Sequence, residues 1–224
     1  MNVIEQIHER IAKHDLLTHP FYQAWSAGQL TAHDLRDYAA DYYHHVAAFP
    51  TYLSALHSRM PDGVVRRSVL RNLCDEELEG AAHSDLWLDF AEGLGADRDA
   101  VRAGQPSPAV ETLVAAFRSR MQSATLVEAL AALYAYESQV PRIAREKAVG
   151  LRRFYGAEGN TCRYFDLHQT ADLEHARIWR EQIEHEVATN PDAATSAVEA
   201  ADDAAAALWC ALNGIEERRK SKRD

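Results

Sequence analysis

Apolar residues recur at helical spacing along almost the whole chain, and no run of alternating β-branched residues reads as a strand. The pattern predicts helical segments near 2–13, 19–27, 32–60, 64–94, 108–121, 125–155, 160–189 and 192–217. Their ends are chemically marked. Thr31 stands before AHDLRDY as an N-cap, Asp62-Gly63 breaks the next pair, and Gly93 to Asp99 closes the segment containing DEELEGAAHSDLW. Gln105-Pro106-Ser107-Pro108 opens another helix, and Gly156 to Asn160 separates the last two long ones. Long helices with short connections favour antiparallel neighbours, so the fold class is all-α, a bundle of about seven or eight helices. Pro50 in AAFPTYL and Pro141 in YESQVPRI fall inside helical patterns, and each is expected to kink its helix. At Pro141 the lost hydrogen bond is the one to the carbonyl of Glu137.

With 224 residues, 47% of them hydrophobic, the chain can bury one substantial core, and one domain is expected over 1–217. The charge run at the C-terminus predicts a disordered tail over 218–224. A formal charge of -10, from 34 acids against 24 bases, argues against a nucleic-acid surface, and no basic amphipathic helix offers itself to a membrane. No apolar stretch approaches the ~18 residues of a membrane span, and Met1 to Leu17 is charged throughout, unlike a signal peptide. A cytoplasmic protein is expected. Cys74, Cys162 and Cys210 are odd in number and form no CxxC, which predicts reduced, partly buried thiols. His8, His14, His33 and His185 have polar neighbours and read as surface residues, whereas His44 and His45 in YYHHVAAF point partly inside. The alanine-rich stretch 200–207 implies close helix packing, and the last helix is the expected contact of a homodimer.

Candidate chemistry is concentrated in three segments. In YFDLHQTADLEHARIW, His168, Asp172 and His175 are spaced four and three apart, so a single helix would point all three from one face. That face continues with Phe165, Ala171 and Ile178 or Trp179, which should look inward, where polar groups need partners. Glu76 and His83 in DEELEGAAH are two helical turns apart and would also share a face, although Glu77 competes with Glu76 and Glu174 with Asp172. Glu137 follows ALYAY, where an unpaired carboxylate is costly. Three carboxylates and three imidazoles on three long helices are a donor set of the kind bundles use for dinuclear sites. Two divalent ions would nearly balance the carboxylates, and mixed oxygen and nitrogen donors without thiolates favour iron or manganese over structural zinc.

The chain resembles, nearly end to end, the CADD family within the haem-oxygenase-like diiron oxidases, which are related to PqqC and TenA. The resemblance rests on THPFYQAWSAGQLT, DYYHHVAAFPTYLSALHSR, LWLDFAEGLG after DEELEGAAH, ALYAYESQVPRIAREK and YFDLHQTADLEHARIW. It implies a haem-oxygenase-like bundle and six metal positions at Glu76, His83, Glu137, His168, Asp172 and His175, which selects Glu76 over Glu77. It implies two Fe ions, or one Fe and one Mn, with dioxygen and an external reductant from an unknown electron donor. The complete donor set sets the chain apart from the metal-free PqqC-like oxidases and the TenA-like hydrolases with a cysteine nucleophile. The implied activity is production of para-aminobenzoate for folate synthesis by oxidative breakdown of the protein's own tyrosine. Tyr22 in HPFY matches that tyrosine, Lys147 in REKAVG the amino donor, and Tyr38, Tyr136 and Tyr164 further aromatics of the site. Ten residues beyond Glu137, Lys147 lies ~15 Å away along a straight helix, which would leave it an ordinary surface lysine unless the Pro141 kink or a loop brings substrate to it. Two alternatives are a related diiron oxidase acting on a separate small molecule, with Tyr22 lining its pocket, and an interaction protein that associates with death domains.

Overall fold

The computed structural model describes residues 2–222. They form α1 (Val3–Ala12), a 3-10 turn (Leu16–Thr18), α2 (Pro20–Ser26), α3 (Ala32–Arg59), α4 (Val64–Glu77), α5 (His83–Gly93) and α6 (Arg98–Ala103). The chain continues with α7 (Pro108–Ser123), α8 (Leu126–Glu137), α9 (Val140–Phe154), α10 (Asn160–His168), α11 (Ala171–Thr189) and α12 (Ala193–Ser221), with no strand among the described residues. The expected all-α architecture is present, with more helices than the periodicity implied. The additional elements are α6 and those made by splitting the segments 64–94, 125–155 and 160–189.

Local chemistry explains most boundaries. Thr31 and Asp34 form a reciprocal capping box at the start of α3, Asn2 and Glu5 one at the start of α1, and Pro108 lies in the first turn of α7 behind Ser107. Pro50 sits in the interior of α3. Pro141 instead lies in the first turn of α9, where its missing N–H has no helical partner to lose. The expected kink at Pro141 takes the form of a two-residue interruption between α8 and α9, across which Ser138 and Gln139 keep right-handed helical backbone angles.

α12 packs on α8, α7 and α1, while α3 packs on α7, α4 and α5. The buried Ala197, Ala200, Ala201, Ala204, Ala205 and Ala211 let α12 come close to its neighbours, the close packing expected of the alanine-rich stretch. The approach is tight enough that a Cβ on Gly214 would lie 2.4 Å from the Ala109 Cβ. Residues 218–221 are not a disordered tail but the last turn of α12. Arg218 reaches Asp41, Arg219 pairs with Glu216, and Lys222 reaches Asp37, tying the end of the helix to α3. Asp41 also accepts from the Ser107 amide at 2.7 Å and its hydroxyl at 2.9 Å, so one carboxylate links α3, α7 and α12. Residues 223 and 224 lie outside the described residues.

Two features of the core bear on the site. Gly150 on α9 faces Trp25 on α2, and an added Cβ would lie 2.7 Å from the indole Cδ1. The same indole donates to the Lys147 carbonyl at 3.2 Å, fixing α9 against α2. Trp25 is almost fully buried and has no room to retreat. Gly150→Ala is expected to cost about 1–3 kcal/mol, the range for overpacking a filled core, read as a lower urea midpoint at unchanged slope.

His45 is completely buried among Tyr42, Tyr52, Phe117 and Tyr136, with Nε2 unpartnered. Burial pushes its pKa down to about 3. Its folded pKa is below the unfolded value near ~6.5, so its contribution is fully present above that pH and is lost as pH falls toward the folded value. The urea midpoint of the metal-free protein should therefore drop between pH 6.5 and about 3, with a shallower decline in His45→Phe. Parallel pH profiles for the two proteins would refute the assignment.

Candidate metal centre

The three unexpected helix breaks all fall among the candidate donors. Glu76 lies in the last turn of α4 and His83 opens α5. Glu137 closes α8 and His168 closes α10, while Asp172 and His175 lie near the start of α11. The sharing of single helix faces expected from spacing is thus corrected: His168 is on a different helix from Asp172 and His175, and Glu76 is on a different helix from His83. Between α4 and α5 the chain turns through Gly80 at φ 90, a left-handed conformation that favours glycine. Between α10 and α11 only Gln169 and Thr170 intervene.

These breaks aim the donors at common points. Glu76, His83 and His168 form one group of buried side chains, and Glu137, Asp172 and His175 a second; within each group one donor atom per residue lies within 4.8 Å of the others. The His83 and His168 rings approach to 4.7 Å, and His83 Nδ1 is 3.0 Å from Glu76 Oε2 without the direction of a hydrogen bond. In the second group, His175 Nδ1 lies 3.4 Å from Glu137 Oε1 and 3.7 Å from Asp172 Oδ1. Glu77 and Glu174, the rivals left by spacing, stay outside both groups, Glu174 being paired with Arg177.

The electrostatics favour a cation at these points. His83 Nδ1, Asp172 Oδ2 and His175 Nδ1 are buried without hydrogen-bond partners, an expensive arrangement for protein alone and a suitable one for donors awaiting a shared ion. In the metal-free chain protons supply part of the compensation. Burial raises the Asp172 pKa, reinforced by Glu137 and Glu76 against the influence of His175. Burial opposes a charge on His175, but Asp172, Glu137 and Asp75 outweigh it and raise its pKa. His168 is driven down to about 3 by burial and by its histidine neighbours, and so stands neutral with a lone pair available. The residues therefore fit a pair of divalent ions, each held by mixed carboxylate and imidazole donors.

Residues beyond the six donors support the arrangement. Asn72 donates to Glu137 Oε1 at 2.8 Å and the Trp179 indole donates to Oε2, so the fully buried Glu137 has both oxygens engaged. Asp75 Oδ2 lies 2.9 Å from His175 Nε2. Sequence reasoning singled out neither Asn72 nor Asp75 and had Trp179 only as an inward-facing residue. Asn72 is four residues before Glu76, and Trp179 four after His175, so helical spacing from the donors was the available signal.

The aromatic residues form a second chamber. Tyr22, Tyr42, Trp87, Tyr136, Tyr164 and Lys147 contribute to the walls of a cavity of about 30 Å³. Tyr136 and Tyr164 also line a smaller one of about 10 Å³ that reaches Glu76, His168 and Asp172. These two tyrosines therefore stand between the donors and the chamber, and the Tyr164 ring stacks on His168 at 4.0 Å. Lys147 is not a surface residue. Its Nζ lies inside, donating to the Tyr22 hydroxyl at 2.9 Å and the Tyr38 hydroxyl at 2.5 Å, and 4.3 Å from the Tyr22 ring centroid. Burial lowers the Lys147 pKa well below the ordinary lysine value and raises that of Tyr22, which favours a neutral amine beside a neutral phenol. Tyr42, absent from the sequence-derived set, stacks on Tyr38 at 5.4 Å and completes the wall.

Comparison with known proteins shows the family of the chain. The family model for iron-containing redox enzymes of haem-oxygenase type matches residues 36–209. The 4-aminobenzoate synthase of Chlamydia pneumoniae is 42% identical over 191 residues, covering 85% of this chain and 85% of that protein. The 4-aminobenzoate synthase of Nitrosomonas europaea is 41% identical over 223 residues, covering 95% of this chain and 90% of that protein. A solved haem-oxygenase-like domain from Shewanella denitrificans superposes with a TM-score of 0.84 at 18% identity, covering 100% of this chain and 96% of the other, which speaks to the fold. No helix among the described residues is long and apolar enough to cross a membrane. The chain belongs to the haem-oxygenase-like family of iron-containing redox enzymes, in the group that includes the 4-aminobenzoate synthases, and is an oxidoreductase.

Proposed function

We propose that this enzyme forms 4-aminobenzoate from its own Tyr22, with Lys147 as the amino donor and two ions, both iron or one iron and one manganese, held by the six donors. The names of the relatives at 41–44% identity support the product. The observation that carries the mechanism is the contact between Lys147 Nζ and the Tyr22 phenol in an aromatic chamber beside the donors.

The geometry fits the chemistry of the product. In 4-aminobenzoate the amine is para to the carboxyl carbon, and in tyrosine the carbon para to Cβ bears the hydroxyl. Lys147 Nζ is hydrogen-bonded to that hydroxyl and also lies near the ring, close to the carbon that must receive nitrogen. Cleavage between Cα and Cβ of Tyr22 leaves the ring with one carbon, to be oxidised to the carboxylate level. The ring oxygen leaves as water when Nζ bonds to its carbon, and a two-electron oxidation by dioxygen followed by hydrolysis breaks the Nζ–Cε bond, leaving Cε as an aldehyde. When bound, the ions supply dioxygen activation and the oxidising equivalents, with electrons from an external reductant. The chain supplies placement. The Tyr38 hydroxyl, 3.2 Å from that of Tyr22, accepts from Nζ beside it, Trp25 holds the Lys147 backbone, and the apolar walls favour an uncharged, nucleophilic amine. Tyr136 and Tyr164, shared by the two cavities, connect oxidation at the donors with the ring of Tyr22.

The size of the chamber favours an internal substrate over a separate one. About 30 Å³ accommodates one or two waters, far less than an added aromatic molecule requires.

Anaerobic loading with Fe(II) followed by removal of excess should leave about two irons per chain in the wild type and about one in His168→Ala. No specific retention by the wild type would overturn the dimetal reading. Tyr22→Phe should retain both ions yet release no 4-aminobenzoate on exposure to dioxygen and reductant. Protein grown with lysine carrying nitrogen-15 on its side chain should give labelled product, and Lys147→Met should give none. Unlabelled product, or full activity of Tyr22→Phe on an added substrate, would move the oxidation to a separate molecule.

A further inference from the structure

Behind the second donor group lies an open cleft of about 360 Å³, to whose lining Asp75, Asn72, Arg71, His83 and His175 contribute. Asp75 is partly exposed there, on the outer side of His175, with Oδ2 2.9 Å from Nε2. We infer that Asp75 is a positioning residue that holds His175 with its Nδ1 toward the ion of the Glu137–Asp172 group.

The direction follows from what each atom can do. An ionised carboxylate only accepts, so the ring nitrogen facing Asp75 carries the proton. When the imidazole is neutral, its lone pair is then on Nδ1. That atom is buried, has no hydrogen-bond partner, and lies 3.4 Å from Glu137 Oε1 and 3.7 Å from Asp172 Oδ1. The other group is built differently. His168 Nδ1 lies 2.7 Å from the Tyr164 carbonyl, another obligate acceptor, so His168 presents Nε2. Of the three histidines, His175 is thus backed by a carboxylate from outside the donor set and His168 by a neutral carbonyl, while the carboxylate beside His83 is the donor Glu76 itself. Such outer partners fix ring orientation and raise donor strength, and the carboxylate does so more strongly. Asp75 therefore acts on one ion selectively, the one that also has two carboxylate donors.

This inference rests on the metal reading above, and the experiment separates the two. Zn(II) serves as a diamagnetic probe, with affinities measured by competition against a chelator and ring nitrogens observed by NMR in histidine-labelled protein. The wild type should bind about two zinc ions, with His175 coordinated through Nδ1 and protonated at Nε2. Asp75→Leu should weaken one site by ~10–100-fold and leave the other unchanged. Asp75→Asn, whose amide oxygen still accepts from Nε2, should keep Nδ1 coordination and recover most of the affinity. Coordination through Nε2, equal weakening of both sites, or a change confined to the unfolding midpoint of the metal-free protein would overturn the role of Asp75. Two tight sites unchanged in Asp75→Leu would remove only this role. A wild type that binds no zinc would remove the metal reading with it.

Discussion

Glu137 ends α8, the helix whose apolar residues fill the centre of the bundle, and its side chain has no access to solvent. A carboxylate there must be neutralised or surrounded by donors and positive charge, because water is unavailable to screen it. Two surrounding helices meet this demand with three groups: Asn72 from α4, and Trp179 and His175 from α11. Removing any one of them leaves a buried acceptor less satisfied. The positions of α4 and α11 relative to α8 are thus tied to one charge, and the same constraint collects Asp172 and, through α4, Glu76. Two groups of donors arise where one buried carboxylate began.

That polar centre adjoins a chamber of opposite character. Tyr22, Tyr38, Tyr42, Trp87 and Phe165 surround an amine whose hydrogen-bond partners are two phenols. The apolar walls lower the Lys147 pKa for the same reason that makes Glu137 costly, but the result differs in kind: an amine can lose its proton and remain a donor, whereas an ionised carboxylate needs a cation. The low dielectric therefore favours a neutral amine on one side and a cation-seeking pocket on the other. Tyr136 and Tyr164 line both chambers and form an aromatic boundary between the donors and Tyr22.

Much of this was legible in the residues and some was misread for a definable reason. The caps at Thr31 and Ser107 and the apolar period placed the long helices well, because capping and burial act locally. The donor types were visible because ionisable residues stood in otherwise inward-facing stretches. Helix continuity was not visible. His168, Asp172 and His175 keep helical spacing across a break of two residues, and Glu76 and His83 keep it across a longer turn, so periodicity reports one helix where there are two. The interruption after Glu137 is the one that sequence does mark, by Pro141, whose missing N–H weakens the ladder there. The C-terminal charge run was read as a tail because its partners, Asp37 and Asp41, are about 180 residues away in sequence, beyond any local pattern.

The breaks also explain why Lys147 reaches the chamber. On a straight continuation of α8, ten residues would carry it ~15 Å from Glu137 along one axis. With α8 ending at Glu137 and α9 starting at Val140, Gly150 lets α9 lie directly against Trp25 of α2, the helix that bears Tyr22. One interruption therefore leaves Glu137 at a helix end, facing the donors, and directs the following helix toward the tyrosine. A continuous helix presents side chains on a cylinder about its axis and has difficulty serving two chambers at different angles. Ending helices at the donors gives up some hydrogen bonds of the helical ladder and gains freedom of direction, which a site with six donors, an amine and a phenol requires.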